Sequence, residues 1–190
     1  MSRSTFSGPV SALSAETDGG IWIPAKAGQP YTGTWTDTRV AAGDYCMRKT
    51  ATAQSGQFVF HVGQALLQKI GADPNTEVAH DIRGIRIDSI DVVYQIGTSD
   101  LTSHSIALNG VTYANNTANA VAAAGGTLTG TMAVTAQTNP YVTNITLATP
   151  YVIAGNAADK TVTVEISWNA AAGTVLSYYG IYVKCSYNLL

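Results

Sequence analysis

Three histidines, His61, His80 and His104, are the side chains of this sequence whose ordinary pKa lies nearest to neutral pH. Only His80 has an acidic neighbour in the chain, Asp81, in the run "TEVAHDIRGI" that leads into a predicted strand. A catalytic interpretation makes these two residues an acid/base pair, and the simpler one is a loop histidine beside a solvated carboxylate. General acid–base catalysis also needs a cleft and further partners, which the sequence does not display. We therefore predict that the protein is not an enzyme.

The sequence also lacks the patterns that hold metals and cofactors. No histidine has a partner at a zinc-ligand spacing, and there is no phosphate-binding glycine loop, nucleophile elbow or calcium loop. Four aspartates lie close in sequence: Asp81, Asp88, Asp91 and Asp100. We expect a hydrogen bond that stabilises a β-bulge at Asp88 rather than a cation site. We therefore predict that the protein binds no metal and no cofactor.

Exposed aromatic residues offer a different chemistry. Trp22, Trp35, Tyr178 and Tyr182 could stack on sugar rings, or they could be buried at a subunit interface, where tyrosine and tryptophan are enriched. We favour an oligomer interface through Tyr178, Gly180 and Tyr182, because a glycine in mid-strand permits close approach by another backbone. A sugar platform formed by Trp22 and Trp35 is the alternative.

The closing run "SYYGIYVKCSY" must place these aromatic residues. Strict alternation along one strand puts Tyr178, Gly180 and Tyr182 on the outer face. The same alternation puts a second set on the core face: Tyr179, Ile181, Val183, Cys185 and Tyr187.

The other segments are also typical of strands. In "KTVTVEISWNA" every second residue from Val162 to Trp168 is apolar, which predicts a strand with one buried face. In "IRGIRIDSIDVVYQI" the apolar phase switches near Asp88 and Ser89, which predicts a β-bulge or a strand that passes between sheets. Asn109-Gly110 predicts a tight turn, and residues 114–126 a loop with at most a short helix.

About eight strands and no long helix predict an all-β protein, an antiparallel β-sandwich of jelly-roll type. At 190 residues the chain is long enough for one substantial core. We assign residues 20–190 to a single sandwich domain and residues 1–19, rich in Ser, Gly and Thr, to an N-terminal arm.

The composition of the chain argues against two classes of partner, nucleic acids and membranes. Charged residues make up 12% of the chain and the net charge is -2, so no basic stripe is available for nucleic acid. No apolar run approaches a membrane span, and the first ten residues lack the apolar stretch of a secretory signal, so we expect synthesis in a cytoplasm. Cys46 and Cys185 are predicted to be buried free thiols, with a disulfide between them as the alternative.

Three runs carry a resemblance to a known class of proteins: "HDIRGIRIDSIDVVYQIGTSDLTSHSIALNGVTYANNTANAVA", "NPYVTNITLATPYVI" and "YYGIYVKCSY". Together with the "SGPV" near the N-terminus, they resemble small structural proteins of tailed-phage virions that decorate the capsid or associate with the head. The resemblance implies a location on the capsid exterior and binding to the phage major coat protein. It also implies that the arm anchors the subunit, through Phe6, Pro9 and Val10.

The terminal "YYGIYV" is similar to the last strands of trimeric jelly rolls of the tumour-necrosis-factor and complement type. That likeness implies a homotrimer with Tyr178, Gly180 and Tyr182 towards the axis. Our leading hypothesis is a capsid decoration or cement subunit that trimerises and stabilises the head. The alternatives are a carbohydrate- or receptor-binding domain of a phage tail or fibre, and a hydrolase that needs His61, His80 or His104.

Overall fold

The structure is a computed structural model and describes residues 19–40, 44–50, 52–63, 82–112, 120–123, 128–154 and 160–189. Two groups of residues singled out by the sequence lie outside this part of the chain. They are the expected arm contacts Phe6, Pro9 and Val10, and the acid/base candidates His80 and Asp81.

Extended backbone dominates the described residues, as the alternating sequence patterns predict. One 3₁₀ turn, Ala25–Ala27, follows the first strand. The strands are β1 (Gly19–Pro24), β2 (Gln29–Pro30), β3 (Trp35–Val40), β4 (Asp44–Lys49), β5 (Gln54–His61), β6 (Ile82–Gly97), β7 (Leu101–Thr112), β8 (Ala120–Ala123), β9 (Leu128–Thr129), β10 (Tyr141–Ala154), β11 (Lys160–Ala170) and β12 (Val175–Leu189).

The strands form two antiparallel sheets that pack as a sandwich. A seven-stranded sheet has the order β3-β4-β12-β6-β10-β9, with β1 also paired to β12, and a five-stranded sheet has the order β2-β5-β11-β7-β8. Eight of these strands pair in nested fashion: β4 with β12, β5 with β11, β6 with β10, and β7 with β8. The first of these eight strands thus pairs with the last, the second with the second to last, and so on inward. This nested pairing is the jelly-roll arrangement of two Greek keys. The predicted fold class is therefore confirmed, and the remaining four short strands extend its edges.

The core lies between the two sheets and follows the predicted alternation most clearly in β11. Val162, Val164, Ile166 and Trp168 are all buried against the opposite sheet. The threonines, glutamate and serine between them lie at the other face of the strand. Period-two alternation with one face buried fixes the register of such a strand, since a slip of one residue would expose the whole apolar set.

The predicted bulge in β6 is present at Asp88. On β12 the partners of Ser89 and Ile87 are the consecutive residues Lys184 and Cys185, so Asp88 is an extra residue in β6. On β10 the same two residues pair with Thr146 and Tyr151, so the ladder is interrupted on that side as well. Ile87 and Ile90 are consequently both buried although they are three residues apart. The phase switch in the sequence thus reports a real change in backbone register.

β12 has a second irregularity, which the sequence pattern did not predict. Its pairing with β6 shifts between Tyr178 and Gly180, at the point where its other neighbour changes. Leu176–Tyr178 pair with β4, and from Gly180 onward the strand pairs with β1 instead. β1 therefore occupies the edge of β12 that β4 leaves open.

Two local predictions are wrong. Asn109 and Gly110 do not form a turn, because they lie within β7 and pair with Thr163 and Val162 of β11. Residues 120–123, within the predicted loop, form β8 against the end of β7. In both places pairing between strands overrides local turn preference. No helix within the described ranges is long and apolar enough to cross a membrane.

Candidate functional site

His104 lies in the core and its ring is fully engaged. Its Nδ1 lies 3.0 Å from the carbonyl oxygen of Ala133, and its Nε2 lies 2.9 Å from the hydroxyl of Tyr178. Because a carbonyl only accepts, Nδ1 carries the proton and donates it, and Nε2 accepts from the tyrosine. Burial lowers the pKa of His104 to about 4, against a weaker opposing effect of the Ala133 hydrogen bond. The imidazole is therefore neutral at physiological pH.

The same network continues through Tyr94. The backbone N–H of Ala133 donates to the Tyr94 hydroxyl at 2.6 Å, and that hydroxyl also pairs with Thr143 Oγ1 at 3.0 Å. Burial raises the pKa of both Tyr94 and Tyr178. These bonds tie the segment that precedes β10 to the core. With its two tyrosines fully buried and the histidine nearly so, the cluster has a structural role.

The remaining titratable candidates do not assemble into a catalytic centre within the described chain. His61 ends β5 and is half-buried on the outer side of the five-stranded sheet, opposite Thr163. Asp100 accepts a hydrogen bond from the backbone of Ala136 at 2.7 Å. In the ranges that the structure describes, no three His, Cys, Asp or Glu side chains converge as metal ligands.

Asp88, the bulged residue, makes the hydrogen bonds expected of it. Its Oδ1 accepts from Arg86 Nε at 2.8 Å, and its Oδ2 accepts from the Ser186 hydroxyl at 3.1 Å. Asp91, three residues further along β6, pairs with Lys184 Nζ at 3.0 Å and accepts a hydrogen bond from the Asn144 side-chain amide. Both carboxylates thus face the outer side of the seven-stranded sheet, each beside a cation.

The expectation that Tyr178 faces a neighbouring subunit is wrong. Its side chain is fully buried within the single chain, where it stacks on Trp35 at 5.6 Å between ring centroids. The irregularity after Tyr178 explains the error, because it moves Tyr178 to the core face while Tyr182 stays outside. Gly180 does permit close approach by another backbone, as predicted, and that backbone is β1 of the same chain: a Cβ on Gly180 would lie 2.5 Å from the carbonyl oxygen of Ile23.

β1 and β12 exchange aromatic rings across their pairing. Trp22 and Tyr182 lie opposite each other in register. The Trp22 ring lies over Gly180, where its Cζ2 atom comes within 2.6 Å of a Cβ built on the glycine. The Tyr182 ring lies over Gly20 in the same way, at 2.0 Å. Each ring thus covers bare backbone on the partner strand. Trp22 remains 46% exposed and Tyr182 is half-buried, so both contribute to the outer surface.

Trp35 does not join Trp22 in a sugar platform. Its indole packs edge-on against Phe58 at 5.1 Å and Trp168 at 5.8 Å, and stacks on Tyr178. Its Nε1 donates to the Thr32 carbonyl at 2.8 Å. The alternative platform of Trp22 and Trp35 is therefore wrong in its second member, which is partly buried and packs against the aromatic residues of the core.

Sequence reasoning missed Lys49, whose side chain is fully buried at the end of β4. Its ammonium donates to the carbonyls of Thr50 at 2.8 Å and Thr52 at 2.6 Å, and lies 5.4 Å from the ring centroid of Trp168. Burial lowers its pKa. The sequence offers one indication of this burial, the position of Lys49 in the alternation of β4. Lys49 lies on the same face of the strand as Met47, which packs against the core.

Both cysteines are buried thiols and do not form a disulfide, as predicted. Cys185 belongs to the core, and burial raises the pKa of the Cys46 thiol. Neither thiol is therefore available as a reactive nucleophile at the surface.

The described residues form a depression on the outer surface of each sheet. A cleft of about 490 Å³ on the seven-stranded sheet is lined by Arg86, Asp88, Ser89, Tyr182, Lys184 and Ser186, among others. A more open hollow of about 480 Å³ on the five-stranded sheet is lined by Ser55, Gln57, Ser103, Ser167, Trp168 and Asn169, among others. The first combines an aromatic ring with charged groups, and the second is lined chiefly by hydroxyl and amide side chains.

Comparison with known proteins does not assign a family. No protein-family model and no curated protein matches the chain. A solved structure described as "CBM4 structure and function" aligns with a TM-score of 0.36 and 8% identity, over 87% of this chain and 96% of that one. A likeness of this degree identifies neither a ligand nor a site.

Proposed function

We propose that the protein is a non-enzymatic structural subunit of a phage virion, a decoration or cement protein that binds coat subunits on the outside of the head. The observation that carries the proposal is the outer face of the five-stranded sheet. This face also holds the open hollow, which could receive a protruding side chain of the coat.

Short hydroxyl and amide side chains dominate that face. The outward positions of its three central strands are Ser55, Gln57, Val59 and His61 on β5, Ser103, Ser105, Ala107 and Asn109 on β7, and Thr161, Thr163, Glu165, Ser167 and Asn169 on β11. Among these described positions Glu165 is the one carboxylate. It accepts from Gln57 Nε2 at 2.7 Å and from Asn109 Nδ2 at 3.3 Å.

A face of this kind is suited to contact with another protein. Burying a hydroxyl or amide that finds a new partner costs far less than burying an unpaired lysine or carboxylate. Glu165 already has two donors within its own sheet, so covering it does not strip it of every partner. On a capsid each contact is repeated many times, so even modest individual contacts stabilise the whole particle.

Two further parts of the proposal rest on resemblance: assembly as a homotrimer, and anchoring by the arm through Phe6, Pro9 and Val10. Because Tyr178 is buried and β1 covers Gly180, Tyr182 is the member of the predicted interface whose side chain remains at the surface. Sedimentation tests the trimer directly, and a stable monomer at micromolar concentration contradicts it.

Binding to heads tests the main proposal. Purified protein is mixed with heads assembled from the major coat protein encoded in the same genome, and the bound fraction is measured by co-sedimentation. Wild type should bind and raise the temperature at which the heads disrupt. The double variant S105R/S167R places two bulky cations on opposite residues of the proposed face and should lose binding.

A control on the opposite sheet is Thr146→Arg, which adds one cation at an exposed position of the seven-stranded sheet and should bind normally. Deletion of residues 2–18, which leaves β1 intact, should preserve folding and weaken binding if the arm is an anchor. Failure of folded wild type to bind the heads would overturn the proposal. Equal binding by S105R/S167R would show that this face is not the contact.

A further inference from the structure

The cleft on the seven-stranded sheet lies on the opposite side of the sandwich from the proposed coat-binding face. It forms where the bulge at Asp88 interrupts β6 and where β12 pairs with β1. Its volume of about 490 Å³ falls in the ordinary size range of small-molecule sites, roughly 300–1,000 Å³. The cleft is not used by the proposed assembly.

The charges in and beside the cleft are balanced. Arg86 pairs with Asp88, and Lys184 pairs with Asp91. Among the described residues two cations therefore face two carboxylates, so these four side chains give the cleft no net attraction for a phosphate or a metal cation. Their side chains are partly exposed, at 46% for Arg86, 34% for Asp88 and 48% for Lys184. They can accordingly donate to and accept from a ligand while remaining paired.

An aromatic surface borders these polar groups. Tyr182 lines the cleft, and one side of its ring covers Gly20. Trp22 lies opposite Tyr182 on β1 and extends the aromatic surface away from the cleft. A ring that lies against bare backbone is held in one orientation and leaves its other face to the ligand. Such a face packs well against the C–H groups of a pyranose, which are apolar and slightly positive.

We propose that this cleft binds a neutral glycan, with one sugar ring against Tyr182 and its hydroxyl groups hydrogen-bonded by Arg86, Asp88 and Lys184. A carboxylate held by a neighbouring cation accepts from sugar hydroxyls, and the guanidinium and ammonium donate to them. A longer glycan would continue over Trp22. This site is independent of the coat-binding face, so either proposal can fail without the other.

The test uses the full chain and two probes. The first is an array carrying neutral and anionic bacterial cell-surface oligosaccharides. The second is saturation-transfer NMR with glucose, galactose and N-acetylglucosamine at millimolar concentration. We expect binding to neutral glycans that weakens at least tenfold in Tyr182→Ala and in Asp88→Asn. Two variants are needed because Tyr182→Ala also uncovers Gly20 and could loosen β1, whereas Asp88→Asn keeps the size of the side chain.

The matched control is Tyr45→Ala, which removes a tyrosine that is 59% exposed on β4 and should leave binding unchanged. Urea unfolding of each variant separates loss of binding from loss of folding. The proposal is overturned by absence of binding to both probes, by binding restricted to anionic glycans, or by binding that folded Asp88→Asn and Tyr182→Ala retain in full.

Discussion

The hydroxyl of Tyr178 donates a hydrogen bond to Nε2 of His104 inside the sandwich, across 2.9 Å and from one sheet to the other. Tyr178 lies on β12 and His104 on β7, so this bond joins the two layers of the jelly roll through polar atoms inside the core. A buried polar pair of this kind is stable only while both members are present, since either one alone leaves an unsatisfied group.

Tyr178→Phe should therefore destabilise the protein without changing its fold. The substitution removes one oxygen and leaves Nε2 of His104 buried without a donor, which costs about 1–3 kcal/mol of unfolding free energy. Urea denaturation at pH 7.5 measures this loss. Tyr45→Phe, which removes the hydroxyl of an exposed tyrosine, is the control and should have the same unfolding free energy as wild type. Equal stability of the two variants would mean that the bond contributes nothing.

Stability should also fall in mild acid because of His104. Burial lowers the pKa of this histidine from 6.5 to about 4 in the folded protein. Between these two pH values the unfolded chain binds a proton that the folded chain does not. The free energy of unfolding is therefore unaffected by the protonation of His104 above pH 6.5 and decreases as the pH falls from 6.5 towards 4. The loss amounts to as much as about 3 kcal/mol.

Carboxylates titrate in the lower part of the same range, so the informative quantity is a difference between two proteins. His104→Gln keeps a donor and an acceptor at this position but cannot titrate. Urea denaturation at pH 7.5, 6.5, 5.5 and 4.5 should show a shallower loss of stability for the variant than for wild type. Parallel curves would contradict a depressed pKa at His104.

The sequence predicts those features of the fold that depend on local alternation. The apolar phase of β11 and the phase switch at Asp88 both report where each residue lies relative to the core, and both predictions are confirmed. The order of the strands follows from the number of strands and the preference of such sandwiches for jelly-roll pairing.

The predictions that are wrong concern residues whose position depends on contacts between distant segments of the chain. Strict alternation predicts Tyr178 on the outer face, but the alternation of β12 changes where the strand exchanges β4 for β1 as its neighbour. Trp35 is predicted at the surface, but it packs, partly buried, against Phe58, Trp168 and Tyr178, which lie on three other strands. No periodicity within a segment carries that information. Of the polar cleft, only the bulge at Asp88 was foreseeable.

Gly180→Ala should detach β1 from β12. A Cβ at this position would lie 2.5 Å from the Ile23 carbonyl oxygen and 2.6 Å from the Trp22 ring, in a backbone conformation with φ of 156° that disfavours a side chain. Something must shift, and β1 is the short edge element. We expect the free energy of unfolding to fall by about 1–3 kcal/mol. Tryptophan emission should shift to the red as the Trp22 ring moves away from Gly180, and proteolysis near residue 20 should become faster.

The control for this substitution is Gly97→Ala. Gly97 also lies in a strand, at the end of β6, but the nearest atom to an added Cβ would be 3.8 Å away, an ordinary contact. Its stability and emission should match those of wild type. If Gly180→Ala behaves in the same way as Gly97→Ala, the close approach of β1 is not what the structure describes.

Trp35→Ala and Trp22→Ala should differ sharply in stability although both remove an indole. Trp35 packs on three core aromatic rings, so its loss opens a cavity between the sheets and costs about 2–4 kcal/mol. Trp22 is 46% exposed and covers one glycine, so its loss costs less than about 1 kcal/mol. Urea denaturation measures both. Equal costs would place Trp35 at the surface after all and restore the platform of two tryptophans; unequal costs leave Trp22 and Tyr182 as the aromatic residues that a ligand can reach.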